Sequence, residues 1–289
     1  MRVVVHGGAG GEPDEPEPRQ ATLDRAVAVG VDATTPMSAA VGAVRVLESG
    51  PRFNAGVGSA VQSDGTIRTD AGVMTGDGRT GAACSMPGVE HAIEVARIVA
   101  TETPHVLVVG DRAVALADAY DVATDCDLWT EGTRDRWDEL DPAGPGVRDQ
   151  LEWLRERFGG TDTVGAVATD GDGVAAATST GGRWCALAGR VGDVPQVGAG
   201  FYATANAAVS TTGGGEAIAR FGLARHVADA IESGEAPTEA TRRLIEEFDS
   251  ETSASAGVIA VDSDGRTGSA FNSSGMQTAT GQGTGDTDG

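Results

Sequence analysis

Two short apolar runs, Val164-Gly165-Ala166-Val167-Ala168 and Val174-Ala175-Ala176-Ala177, are joined by Asp170-Gly171-Asp172-Gly173. Threonines stand at their ends: Thr163 and Thr169 on the first, Thr178 and Thr180 on the second. Apolar runs this short around an Asp/Gly turn form a hairpin, so the chain must fold around a sheet that accepts them. Taken alone, the pattern fits a surface hairpin.

The surrounding chain alternates strands and helices in blocks. Arg2 to Val5 reads as a buried strand running into the turn His6–Gly11, and the Pro- and acid-rich Glu12 to Pro18 as a loop. Helices are expected from about Arg19 to Val31 and from Pro36 onward, with Gly50 just after the last turn. The second has Thr35 as cap, Pro36 in its first turn, and Ala40, Val41, Val44 and Leu47 at helical spacing. After the loop Phe53–Ser59, residues 60–62 and 66–71 should pair about Ser63-Asp64-Gly65. A helix over 89–100, a strand over 105–109 and a helix capped by Asp111 and reaching Tyr120 follow.

Residues 121–162 change character. They are polar and rich in Pro and Gly around a short helix near 148–158, and read as an exposed linker. Beyond the hairpin come a strand near 205–210 and a long helix to about Glu232, opened by Thr211-Thr212-Gly213-Gly214-Gly215-Glu216. A helix capped near Thr238 and reaching Phe248 is next, then strands over 256–261 and 267–271. A Gly/Thr/Asp-rich tail from about Gln277 is expected to be disordered. Hairpin-type joins among blocks of helices favour a mixed α+β layered fold over a doubly wound parallel sheet, and residues 1–289 form one domain with ample chain for a core.

Charge and composition exclude several functions. The formal charge is −22, and the chain has no lysine, so every basic side chain is arginine. Acid excess with lysine depletion is the pattern of a protein from a halophile, kept soluble in high salt. It disfavours nucleic acid as a partner. Without lysine, a Walker A loop, a pyridoxal-phosphate Schiff base and a Ser-Lys hydrolase are ruled out. No apolar run approaches the roughly 18–20 residues of a membrane span, and the start is too short and Gly-rich for a signal peptide. Three widely spaced cysteines, Cys84, Cys126 and Cys185, fit neither a zinc site nor a disulfide framework; a reduced, cytoplasmic protein is expected.

No two of His6, His91, His105 and His226 have metal-ligand spacing, and the last three read as structural or surface residues. The nucleophile elbow Gly-x-Ser-x-Gly is missing, and the glycine clusters at Gly7 and Gly213 lack dinucleotide-fingerprint spacing. A threonine hydroxyl, however, can be activated by its own α-amino group once it becomes a chain N-terminus. That amine has a pKa of roughly 7.7–8.0 and accepts a proton without a histidine. Thr163 is placed for this, after a cleavable linker and before a buried strand.

Six motifs then occur in order: His6-Gly7-Gly8-Ala9-Gly10, Phe53-Asn54-Ala55-Gly56-Val57-Gly58, Thr163-Val164-Gly165-Ala166-Val167, Thr178-Ser179-Thr180-Gly181-Gly182, Gly189-Arg190-Val191-Gly192-Asp193 and Asn272-Ser273-Ser274-Gly275-Met276. Together, over about residues 1–276, they resemble the plant-type asparaginase, or isoaspartyl aminopeptidase, family of N-terminal-nucleophile hydrolases. The resemblance implies a four-layer αββα sandwich, cut between Asp162 and Thr163 into an α subunit (1–162) and a β subunit (163–289). It also implies hydrolysis of the side-chain amide of L-asparagine or of β-aspartyl dipeptides through an ester on Thr163. Carried over residue by residue, Thr180 would hydrogen-bond the Thr163 hydroxyl, and Thr212 with the Gly213 N–H would form the oxyanion hole. Asn54 would hold the Thr163 end of the site. Arg190 would clamp the substrate α-carboxylate, and Asp193, with the Gly215 carbonyl, the α-ammonium. No organic cofactor or catalytic metal is implied; a structural sodium ion near the Asn54 loop is allowed, and a dimer of αβ units is expected.

Three departures stand out. Asp162 precedes the nucleophile where isoaspartyl peptidases usually carry Gly, which resembles the glycosylasparaginase branch. Arg183-Trp184-Cys185-Ala186-Leu187-Ala188 lacks the basic and Pro residues expected there, and Gly214 replaces a Thr. A glycosylasparaginase-like amidase and an uncut, non-enzymatic binding protein on the same scaffold are therefore the alternatives.

Overall fold

Val164–Thr169 and Val174–Thr180 are buried at every residue, which requires cover on both faces of their sheet. The computed structural model describes residues 1–141, 143–144, 146–155 and 162–283. In chain order the elements before the hairpin are β1 (Arg2–Gly10), α1 (Pro16–Val31), α2 (Pro36–Glu48), β2 (Arg68–Thr75), β3 (Thr80–Pro87), α3 (Ala92–Glu102), β4 (Leu107–Val109), α4 (Asp111–Ala119), α5 (Glu131–Asp138) and α6 (Val147–Arg155). The hairpin is β5 (Val164–Thr169) and β6 (Val174–Thr180). After it come β7 (Phe201–Ala203), β8 (Ala207–Gly213), α7 (Gly215–Phe221), α8 (Leu223–Glu232), α9 (Pro237–Glu251), β9 (Ala256–Asp262), β10 (Thr267–Phe271) and β11 (Gly275–Gln282).

The strands form two sheets, ordered β11-β1-β5-β6-β2-β3-β4 and β10-β9-β8-β7. All neighbours are antiparallel except β3 and β4. Helices α1, α2 and α3 lie on the larger sheet, and α8 and α9 on the smaller; the opposite faces meet through β5 and β6 on β8 and through β1 and β5 on β9. Side-chain alternation along each strand sorts residues between these contacts. Val3, Val5, Ala166, Ala168, Ala175 and Ala177 pack under the helices with Leu23, Val44 and Leu47. Their neighbours Val4, Val167, Val174 and Ala176 point the other way and pack between the sheets with Phe201, Ile259 and Val261. Val209, Val258 and Ala260 meet Val227, Leu244 and Phe248 beneath α8 and α9.

Several elements differ from the sequence expectation, each for a local reason. The tail is ordered as far as Gly283: β11 pairs with β1 from Arg2–Gln282 to Gly10–Gly275, so main-chain hydrogen bonds hold a composition that reads as disordered. Residues after Gly283 lie outside the described part. The hairpin expected about Asp64-Gly65 is only a bridge, Val61 to Ile67. The next segment instead enters the large sheet as β2, between β3 and β6. The long helix expected to Glu232 breaks at Gly222, whose φ of 71° ends α7 and starts α8. Thr238 does not cap α9; Pro237 begins that helix, and Thr238 donates instead to the Thr267 carbonyl at 3.0 Å. Asp111 lies inside α4 rather than capping it. Thr35 does cap α2, in a reciprocal capping box with Ser38. The linker holds two helices, α5 and α6, and its described part packs on the body of the protein through tryptophan rings.

Candidate active site

A threonine placed just before a buried strand is held by that strand, and Thr163 is only 4% exposed at the head of β5. Its hydroxyl donates to Thr180 Oγ1 at 3.3 Å, across the hairpin at the end of β6. The Thr180 hydroxyl in turn donates to the Asp162 carbonyl at 3.2 Å and accepts from the Gly182 N–H at 3.0 Å. Asn54 Nδ2 donates to the same Asp162 carbonyl at 2.7 Å and to the Gly182 carbonyl at 2.6 Å. Asn54 is fixed in turn, since its Oδ1 accepts from the Ala60 N–H at 2.8 Å and its carbonyl from the Gly181 N–H at 2.9 Å. The carbonyl carbon beside Thr163 thus has two donors on its oxygen and a hydroxyl as neighbour.

The Asp162 side chain lies over Gly8, where a Cβ would come within 2.8 Å of Asp162 Oδ1. Burial pushes its carboxyl above the usual range, and Arg19, 3.8 Å away, pulls it back. Behind Thr163, fully buried His6 bonds through Nε2 to Ser210 Oγ at 2.9 Å, and Ser210 to Thr178 Oγ1 at 2.8 Å. Burial lowers His6 to about 3, although the Thr163 backbone favours its charged form. His6 is therefore a neutral structural imidazole at working pH. Thr212, at the end of β8, accepts from the Ala9 N–H at 3.3 Å, one residue from the glycine that faces Asp162. Gly213 follows with φ 132°, a conformation that only glycine adopts readily.

A second group of side chains carries charge. Arg190 Nε donates to Glu216 Oε1 at 2.8 Å, and Arg183 Nη1 lies 3.3 Å from Glu216 Oε2. Burial acts to raise Glu216, but the charge and hydrogen bond of Arg190 outweigh it and hold the carboxyl below the usual range. Gly215 packs against the group, since a Cβ there would sit 2.6 Å from Asp193 Oδ1 and 2.9 Å from Arg190 Nη2. Asp193 is 4% exposed, and burial raises it to about 6 against the pull of Arg190. Its Oδ2 is buried with no hydrogen-bond partner among the described residues. A cavity of about 600 Å³ lined by Arg183, Gly214, Glu216 and Arg220 opens beside these residues, and one of about 360 Å³ lies at Asp162, Arg19 and Arg52.

Most of the residues singled out from the sequence fall in one of two groups. Asn54, Asp162, Thr163 and Thr180 meet at the junction, and Arg190, Asp193 and Gly215 meet in the charged bay. Thr212 and Gly213 sit at the end of β8, ahead of Gly215. The sequence reading gave no role to Glu216, although it follows Gly215 directly. It also passed over Asp70, which pairs with Thr180 in the β2–β6 ladder and is 3% exposed. Burial raises Asp70 to about 7; the Ser85 N–H, donating at 2.7 Å, and Arg190 oppose this, while Asp193 adds to it. A lone acid in the apolar run Ala71-Gly72-Val73-Met74 was the available signal. Glu48 was missed as well: it accepts from Ser179 Oγ at 2.6 Å and from the Ile93 N–H at 3.0 Å, bracing the neighbour of Thr180.

A buried hydroxyl beside a doubly held carbonyl, next to a bay with both signs of charge, suits amide chemistry on a zwitterionic amino acid. The chain belongs to the asparaginase family, which it matches over residues 1–288. It is 37% identical to the plant-type L-asparaginase of Pyrococcus abyssi, with 96% of this chain and 95% of that protein aligned. It is 38% identical to the isoaspartyl peptidase/L-asparaginase of Xenopus laevis, over 91% of this chain and 86% of that protein. With the isoaspartyl peptidase of Salmonella typhimurium it shares 41% identity, over 83% of this chain and 78% of that protein. Among the described residues no helix is long and apolar enough to cross a membrane, and no cluster of His, Cys, Asp and Glu could hold a metal ion.

Proposed function

We propose that this protein is a self-processing threonine amidohydrolase acting on the side-chain amide of L-asparagine, on β-aspartyl dipeptides, or on both. The reading takes the two facing sheets and their helices as the αββα sandwich of N-terminal-nucleophile hydrolases. The observation that carries it is the Asp162 carbonyl, held by Asn54 and Thr180 beside the Thr163 hydroxyl.

In the first reaction Thr163 Oγ1 attacks the Asp162 carbonyl carbon. The charge that develops on the oxygen is met by donors already in place at 2.7 and 3.2 Å, the arrangement that stabilises a tetrahedral intermediate. The C–N bond breaks, the nitrogen takes up a proton, and the acyl group rests on Oγ1 as an ester. That nitrogen is now the free Thr163 amine; water cleaves the ester, giving an Asp162 carboxylate and restoring the Thr163 hydroxyl. That amine then accepts the Thr163 hydroxyl proton as the hydroxyl attacks the substrate amide.

Arg190 orients the substrate α-carboxylate, exchanging its planar contact with Glu216 for a similar one. Asp193 Oδ2, an acceptor without a donor among the described residues, takes the α-ammonium. Thr212 and the Gly213 N–H receive the oxyanion, ammonia or an amine leaves, and water hydrolyses the β-aspartyl ester. A structural sodium ion near the Asn54 loop is part of this reading: the carbonyl oxygens of Pro51 and Phe53 lie beside Gly58, and carbonyl oxygen is the donor type that a hard cation takes. These groups would brace the loop and take no part in the chemistry. A thermal transition unchanged when sodium chloride is replaced by choline chloride would remove the ion. The working unit is read as a dimer of αβ units.

The test is intact mass after incubation in high salt, followed by assay of L-asparagine, β-aspartyl-leucine and N-glycosylated asparagine. A fragment beginning at Thr163 with activity on either of the first two supports the reading. Preference for the glycosylated substrate would move the protein to the glycosylasparaginase-like alternative. A single uncut chain without amidase activity would leave the binding-protein reading.

A further inference from the structure

The chain has four tryptophans, and all four meet in one cluster. Trp137 is at its centre, with ring centroids 6.4 Å from Trp129, 6.1 Å from Trp153 and 6.3 Å from Trp184, each edge-on. Leu128, Ala60, Val61, Ile67 and Cys185 complete the apolar contact, and the Arg136 guanidinium lies 4.1 Å above the Trp184 ring. Three of the rings belong to the linker. The fourth lies in the unusual segment Arg183–Ala188. Neither α5 nor α6 buries any residue completely, so the half-buried rings are their main apolar attachment.

Beneath the cluster a short turn connects it to the charged bay. Trp137 lies over that turn, 3.4 Å from where a Cβ of Gly65 would stand. On the other side of the turn, Cys185 N–H donates to the Val61 carbonyl at 2.8 Å and Ser63 N–H to the Ala186 carbonyl at 2.8 Å. Gln62 takes the Gly189 N–H at 2.8 Å and donates to the Arg190 carbonyl at 3.3 Å. Ser63 Oγ accepts from the Ala188 N–H at 3.0 Å and donates to Gln150, in α6, at 2.9 Å. The backbone that aims Arg190 therefore hangs on a turn, and the linker covers that turn.

We propose that the Trp137-centred cluster is a clasp through which the linker fixes the Arg183–Arg190 segment and so sets the position of the Arg190 guanidinium for its substrate. Trp137 is a positioning residue for binding and touches neither substrate nor the Asp162–Thr163 bond. This rests on the reading of Arg190 as the substrate clamp and of Thr163 as the nucleophile. After cleavage, Trp129, Trp137 and Trp153 lie on one fragment and Trp184 on the other, so the clasp also joins the fragments where no covalent bond remains.

The test is a double-mutant cycle on the processed enzyme with Trp137→Ala, Arg190→Ala and the pair. A displacement of about 1 Å at a positioning group costs up to roughly 10²-fold. Trp137→Ala should raise KM about tenfold or more with kcat within about twofold, and processing should be complete by intact mass. Trp137→Phe should restore most of the loss. In the pair, KM should be no worse than in Arg190→Ala alone, because the clasp acts only through that side chain. Independent, multiplicative effects of the two changes would overturn the clasp, as would an unchanged KM in Trp137→Ala while Arg190→Ala raises it. An unchanged KM in Arg190→Ala would instead overturn the clamp reading on which the clasp depends. Should Trp137→Ala fail to fold, Trp129→Ala and Trp153→Ala, each removing one outer ring, take its place; an unchanged KM in both would overturn the clasp, and loss of kcat or of processing without a rise in KM would make the cluster structural only.

Discussion

The two halves of the site solve opposite electrostatic problems. At the junction, Asn54 and Thr180 are neutral, and both donate to the Asp162 carbonyl in the folded chain. In the bay, Arg190 is held by Glu216, while Asp193 and Asp70 are buried and resist ionisation. A buried polar atom without a partner costs about 1–3 kcal/mol, a cost that the junction avoids and that Asp193 Oδ2 bears. On the proposed reading the junction serves a bond inside the chain, and the bay receives charges that arrive with the substrate.

If the halves are separate in function, mutations should separate them. The largest effect belongs to the residue that both proposed reactions use. Thr163→Ala should leave the chain uncut and lower amidase turnover by roughly 10⁴-fold or more, as loss of a nucleophile does; normal cutting on a denaturing gel would sink the assignment. Asn54→Ala removes one of the two donors on the Asp162 carbonyl and should slow self-cleavage by about 10²–10³-fold, followed as the appearance of the Thr163 fragment over time. Arg190→Ala should leave cleavage at the wild-type rate and reduce kcat/KM by about 10²-fold, since truncating one partner of a buried charge pair costs about 2–5 kcal/mol. Slowed cleavage in that variant would erase the distinction between the halves.

The smallest effect concerns pH. Asp70, raised from 3.8 to about 7, and Asp193, raised to about 6, hold protons in the folded protein that the unfolded chain has already lost. Their contribution to stability is complete below about 3.8 and is lost as pH rises through 6 and 7. Asp70→Asn keeps an acceptor for the Ser85 N–H and should lose less stability than the wild type between pH 5 and 8, read as a smaller fall in Tm. Because Asp193 must be ionised to take an ammonium group, kcat/KM should rise as pH climbs through about 6. A fall over the same range would remove Asp193 from binding.

The sequence was most readable where local chemistry set the structure. Thr35, Pro36 and the spacing of Ala40, Val41, Val44 and Leu47 specify α2, and the threonines at the ends of β5 and β6 specify a pair that the hairpin turn brings together. It was least readable where partners are distant. β11 is a strand because β1 offers an edge to it, a fact absent from its own glycines and threonines. Arg68–Thr75 joins β3 and β6 rather than the closer residues 60–62 because the large sheet buries its apolar side chains. In the site, Thr163, Arg190 and Asp193 lie in short motifs, whereas Asp70 and Glu48 act through burial and contacts 15 and 131 residues away, to Ser85 and Ser179. Trp184 reads in the sequence only as a departure from pattern, because its ring partner Trp137 is distant along the chain.

The order of the larger sheet has a consequence for a chain cut after Asp162. Strand β1, from the front of the sequence, lies between β11 and β5, and β2 from the front borders β6 from the back. The two pieces are therefore interleaved rather than docked. Neither owns the whole of the larger sheet, and pulling them apart would unzip three of its ladders at once. Such a pair has no dissociation equilibrium between folded partners: dilution should not separate it, and the pieces made from separate genes should stay unfolded until they meet. Cutting frees an amine and leaves the architecture of a single molecule.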